Sequence, residues 1–152
     1  VPTAYRIVKA RHARSAFSGE GARIAGGRWN RPGDPAVYAS SSLALAAIET
    51  FIHPGEDGLH LRFVYFRIEI PPGVAIRRCG KPPPGWRAEP PGEESMAWGS
   101  KWLRRGRTAV LDVPSALVPS ERNFILNPRH PEYARIRIGR ALPFLFDPRM
   151  WK

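Results

Sequence analysis

Between residues 4 and 8 apolar and polar positions alternate, with Tyr5 and Ile7 on one face and Arg6 on the other, which predicts a strand near the start of the chain. Residues 9–23 show no clean period and are expected to form a loop with a helical turn. Arg31-Pro32-Gly33-Asp34-Pro35 reads as a turn, because proline presets one backbone angle and glycine admits conformations closed to other residues. A short strand is predicted at 36–39. Residues 43–52 carry the clearest helical pattern. There Leu45, Ile48 and Ile52 recur at three- and four-residue spacing and predict a buried stripe, with Ser40-Ser41-Ser42 supplying an N-cap. Pro54 disfavours helical geometry at His53, so the helix should end there, before a turn at 55–58.

Residues 61–70 have apolar side chains on both faces, the pattern of a strand covered on both sides, and 74–77 are expected to extend it past Pro71-Pro72-Gly73. The Pro- and Gly-rich stretch 80–94 predicts a long loop. It is not a domain linker, since neither flank has chain enough for a comfortable second core. Residues 95–104 predict a helix with Trp98 and Trp102 on one face. Residues 108–113 predict a buried strand ending at Pro114-Ser115, residues 124–126 form a short apolar run closed by Asn127-Pro128, and 136–138 and 142–146 predict late strands. Asn127-Pro128-Arg129-His130-Pro131 reads as a rigid turn.

A length of 152 residues suits one domain over 1–152, and an apolar fraction of 43% excludes disorder as the default. Cys79 is the only cysteine, so an internal disulfide is excluded and a reducing cytoplasm is the expected compartment. The first residues carry no long apolar leader, and no stretch approaches a membrane span. The net charge of +11 favours an anionic partner. However, the 20 Arg and 4 Lys are scattered from Arg6 to Arg149 and form no single basic run, so direct nucleic-acid binding is not expected.

Candidate chemistry lies within 22 residues, Arg28 to Glu49. Arg28 follows Gly26-Gly27, and a guanidinium fork beside glycines suits a diphosphate; the plainer alternative is a surface arginine after a turn. Tyr38 offers a ring to stack on a planar leaving group, or is an ordinary half-buried strand residue. Glu49 is the only charge in an otherwise apolar helix. It reads as a carboxylate facing a cleft, where it would stabilise charge developing on a ribosyl carbon, or as a helix-surface residue. Ser115 follows a buried strand without a nucleophile-elbow motif around it. His12, His53, His60, His130 and Cys79 show no metal-ligand spacing, so no metal and no resident cofactor are expected.

Taken in order, Tyr5-Arg6, Gly26-Gly27-Arg28-Trp29-Asn30, Val37-Tyr38-Ala39-Ser40 and Leu45-Ala46-Ala47-Ile48-Glu49 resemble the RES domain, the toxin of RES–Xre toxin–antitoxin pairs. So do Trp98-Gly99, Val113-Pro114-Ser115, Glu121-Arg122-Asn123 and Asn127-Pro128-Arg129-His130-Pro131. The resemblance runs from about Tyr5 to Arg149 and implies an α/β (α+β) domain with a twisted, split, mostly antiparallel sheet flanked by helices, similar to ADP-ribosyltransferase toxins. It implies NAD as substrate, cleaved with phosphate or water, or else used to ADP-ribosylate a protein. It also implies a helix-turn-helix antitoxin of Xre type as partner.

Carried over residue by residue, the family's Arg, Tyr and Glu fall on Arg28, Tyr38 and Glu49, and its Ser on Ser115, with Ser120 and Ser95 as lesser candidates. Gly27, Trp29 and Arg6 are expected to line the pocket. On this reading Arg28 holds the diphosphate or an attacking phosphate, Tyr38 packs on nicotinamide, and Glu49 orients the ribose and steadies an oxocarbenium-like transition state. Ser115 adds a hydrogen bond. The alternatives are a protein ADP-ribosyltransferase on the same site and, from another class, a basic RNA-binding module. Phe144, Phe146 and Trp151 offer apolar material for a homodimer or antitoxin contact, with core burial as the more modest explanation.

Overall fold

A computed structural model describes residues 1–52 and 61–151. His53, Pro54, the turn at 55–58, His60 and the Trp151 side chain lie outside the described residues. The strands are β1 (Thr3–Lys9), β2 (Val37–Ser40), β3 (Phe63–Glu69), β4 (Ile76–Arg78), β5 (Val110–Pro114), β6 (Arg122–Leu126), β7 (Arg137–Ile138) and β8 (Leu142–Phe144). The helices are α1 (Glu20–Ala25), α2 (Leu43–Phe51) and α3 (Glu93–Arg105). All eight strands join one sheet in the order β4-β5-β6-β2-β1-β3-β7, with β8 also on β3. Every pairing is antiparallel except β4 with β5. The fold is therefore mixed α/β with a mostly antiparallel sheet, as expected.

The seam between β1 and β2 is thin: their register passes through Tyr5 and Ser40 alone. Arg6 reaches across it, donating from Nη1 to the Tyr38 carbonyl at 2.8 Å and from Nε to the Ala16 carbonyl at 2.7 Å. Burial draws its guanidinium down to about 10, against a weaker upward pull from Tyr133, so it stays charged at neutral pH.

Side chains alternate across a strand, so the register sorts the sheet into two faces. Val37, Ala39, Val110, Phe124 and Leu126 join Ala4 and Ile68 in a core on one face. Tyr38, Ser40, Asn123, Ile125, Leu111 and Val113 share the other face. On this second face α3 packs Trp102 and Leu103 over β5 and β6, while α2 packs Ala46 beside Ile7 and Phe63 over β1 and β3. The strip of β2 and β6 between the two helices is where the candidate residues gather.

Two expectations are corrected. The buried side of α2 is Leu45 and Ala46, whereas Ile48 and Ile52 are 41% and 49% exposed. Ala46 packs against Ile7 and Phe63 on the sheet, and the two isoleucines lie away from that contact. Residues 74–77 do not prolong β3: Ile76–Arg78 crosses to the far edge of the sheet and pairs parallel with β5. Phe144 and Phe146 pack edge-on with one another, and against Tyr65 and Phe63 respectively, so they serve the core. Among the described residues no helix is long and apolar enough to cross a membrane.

Candidate active site

Ser42 caps α2 by accepting from the Leu45 N–H at 3.0 Å. One turn beyond Leu45 and Ala46, the helix directs Glu49 toward the loop after β5. Its Oε1 accepts from the Ser115 hydroxyl at 2.7 Å and from the Asn123 amide at 3.0 Å. Neither donor is free to turn away. Ser115 is fully buried, and its Oγ accepts the N–H groups of Leu117 and Val118, each at 3.1 Å, so its proton is directed to Glu49. Asn123 Oδ1 accepts from Ser40 Oγ at 2.8 Å, which turns the amide nitrogen toward Glu49. Both donors fall on Oε1, so among the described residues none reaches Oε2. Ser115 and Asn123 thus fix the orientation of the carboxylate.

Tyr38 lies two residues from Ser40 on the same strand face, a spacing of about 7 Å. Its hydroxyl donates to Asn30 Oδ1 at 2.6 Å and accepts from the Trp29 N–H at 3.0 Å. Burial raises the phenol far above its ordinary value; the Trp29 N–H and the Arg28 charge oppose this only in part. Tyr38 is thus a neutral pillar under the turn at 27–30, its half-buried ring on the face that carries Ser40 and Asn123. A Cβ on Gly27 would stand 2.7 Å from the Tyr38 hydroxyl, so only glycine fits there.

That turn is a two-residue hairpin closed by Gly27 and Asn30. It seats on α3 at Gly99, where an added Cβ would come within 1.8 Å of the Trp29 carbonyl oxygen. Ser100 Oγ accepts the Arg31 N–H at 2.8 Å beside it. The Trp29 ring, 2% exposed, is wedged between Trp86 and Trp98. Arg28 is thereby projected along the loop at 85–89. Its Nη1 donates to the carbonyls of Trp86 (2.9 Å) and Ala88 (2.7 Å), and its Nη2 pairs with the Glu89 carboxylate at 2.9 Å.

The structure thus brings Glu49 and Ser115 into contact, sets Tyr38 on the same face, and places Gly27 and Arg28 at its hydroxyl end. It does not bring Arg6 to this face: alternation from Tyr5 directs it to the opposite side, toward Phe66 and Tyr133. The Trp29 ring is packed inside and is not presented to the strip. Of the other serines, Ser95 is buried under the start of α3 with Gly92 O as its partner, and Ser120 is exposed. The sequence pattern gave no role in the site to Asn123, Ser40, Asn30, Trp86 or Glu89. Asn123 and Ser40 stood within stretches already singled out, but their pairing spans 83 positions. Among the described residues no three of His, Cys, Asp and Glu gather as metal ligands would.

Residues 3–147 match the RES domain. The chain belongs to the RES domain family. Similar to this RES domain are the "Prs ADP-ribosylating toxin" of Sphingobium sp. (strain YBL2), 45% identical over 138 residues that cover 88% of this chain and 86% of that one, and the "Toxin Res" of Yersinia enterocolitica, 38% identical over 148 residues covering 96% and 97%. A "Toxin Res" of Photorhabdus laumondii is 38% identical over 150 residues, covering 97% and 96%. Near-complete coverage on both sides means that the RES domain is aligned throughout, from β1 to the segment after β8.

Proposed function

We propose that this chain is a toxin whose enzymatic step breaks the bond between nicotinamide and ribose in NAD. The observation that carries this reading is the Glu49 carboxylate, whose Oε1 is held by Ser115 and Asn123 on the face that also carries Tyr38. A carboxylate fixed before the reaction stabilises positive charge as it develops, with no reorganisation cost at that moment. The nicotinamide–ribose C–N bond breaks, its electron pair neutralises the cationic ring, and the ribosyl carbon becomes oxocarbenium-like. Glu49 Oε2 would face that carbon or an adjacent hydroxyl. An acceptor oxygen then bonds to the carbon and loses its proton. Because the leaving group departs neutral, no strong general acid is needed, and the neutral Tyr38 phenol is not asked to be one. Its ring would pack on nicotinamide, and Arg28 would hold the diphosphate.

The acceptor is phosphate or water in the reading we favour, with depletion of NAD as the toxic outcome in the cytoplasm. Transfer of ADP-ribose to a protein is the second reading; it is supported by the name of the Sphingobium relative. Purified protein incubated with NAD, with and without inorganic phosphate, should release nicotinamide together with ADP-ribose or its 1''-phosphate. Glu49→Gln should slow that release by about a hundredfold or more. Labelled NAD in a lysate that marks a protein band while bulk NAD persists would favour transfer, and no nicotinamide release in either assay would refute both. A helix-turn-helix antitoxin is the expected partner, and co-expression of the adjacent open reading frame, restoring growth, would test it.

A further inference from the structure

The segment at 82–89 crosses from one half of the site to the other. On one side Trp86 and Ala88 offer their carbonyls, and Glu89 its carboxylate, to Arg28. On the other, the Arg87 guanidinium donates from Nε and Nη2 to the Ala116 carbonyl, at 3.1 and 3.0 Å. Ala116 adjoins Ser115, the partner of Glu49. The strap therefore touches both the guanidinium and the carboxylate halves. Its three contacts to Arg28 are of two kinds. The carbonyls are neutral acceptors that aim Nη1, whereas Glu89 supplies a full negative charge to Nη2. The Arg28 side chain is only 17% exposed, while that of Glu89 is 69% exposed. A cation so enclosed is costly without an anion beside it, and the exposed glutamate can swing into water at little cost.

We propose that Glu89 is a built-in place-holder for a substrate phosphate: it neutralises Arg28 in the empty site and competes with the incoming phosphoryl group for Nη2. The Trp86 and Ala88 carbonyls are positioning groups that keep the guanidinium aimed while the anion is exchanged. This rests on the reading of Arg28 as a phosphate-binding residue. The phosphate belongs either to the dinucleotide or to the attacking acceptor, and both are tested below.

Binding is measured by calorimetry with two probes, ADP-ribose, which has no nicotinamide bond to cleave, and inorganic phosphate. Glu89→Gln should tighten one or both about twofold to fivefold, the range an exposed ion pair can set. Glu94→Gln, an exposed neighbour that pairs with no cation among the described residues, makes the same charge change and should leave affinity unaltered. The probe that tightens identifies which phosphate Glu89 replaces. Equal tightening in both variants, or unchanged or weaker binding in Glu89→Gln, overturns the place-holder and leaves the site reading intact. If neither probe binds wild type or variants, the phosphate role of Arg28 falls, and the proposal with it.

Discussion

Asn123 donates to Glu49 and accepts from Ser40, so one amide connects β2, β6 and α2. Asn123→Asp would replace the donated hydrogen by a second carboxylate beside Glu49, which should slow NAD cleavage by about a hundredfold. The far-ultraviolet circular dichroism should stay near that of wild type, because the residue is only half-buried at a strand end. A variant that cleaves NAD at the wild-type rate would remove Asn123 from the mechanism. Arg28, Tyr38, Glu49 and Ser115 were singled out through the resemblance to the RES domain, with Arg28 and Glu49 also marked by their local context. Their partners were not. Glu49 lies 66 and 74 positions from Ser115 and Asn123, and only the strand register decides which polar side chains meet.

At the scale of elements, the arrangement turns on the seating of a hairpin against α3. Gly99→Ala drives a methyl group into the Trp29 carbonyl, and neither backbone nor the surrounding tryptophans can yield freely. Overpacking of this kind costs about 1–3 kcal/mol, and we expect urea denaturation to report a loss in that range. NAD cleavage should fall further than stability alone explains, since Arg28 moves with the hairpin. A fully stable, fully active variant would contradict this seating. The two longer helices and most of the strands were foreseeable from the apolar pattern, whereas β4 was expected only as a prolongation of β3. The inward face of α2 was foreseen only in part: Leu45 of the expected stripe is buried, beside Ala46, while Ile48 and Ile52 are exposed. The helical turn expected within 9–23 has counterparts at Ala10–Ser15 and in α1, but the extent of α1 was not read, since Glu20–Ala25 is short, starts after a glycine and buries no residue.

Over the whole molecule, the sheet order could not be read from strand order, and the small β4 shows why: three residues, Ile76-Arg77-Arg78, carry no signal of which edge they will join. One consequence of burial can be measured at high pH. Tyr133 donates to the Phe17 carbonyl at 2.7 Å, and burial pushes its phenol up to about 12; Tyr38 is raised in the same direction. A group whose folded pKa is raised contributes stability in full below its unfolded value, about 10 for tyrosine, and loses it as pH climbs through the folded value. Arg6, drawn down to about 10, works the other way above that pH, so two losses oppose one gain. Stability to urea should therefore decline between pH 10 and pH 12. Tyr133→Phe should lower stability at neutral pH by about 1 kcal/mol while making the alkaline decline shallower; an unchanged slope would contradict the assignment.

The Glu49 carboxylate is supplied early in the chain, and both groups that steady it are supplied late. During synthesis on a ribosome, residues 1–114 emerge without either of them. On the function proposed above, the nascent chain therefore carries Glu49 without its two fixed donors until β6 has joined β2.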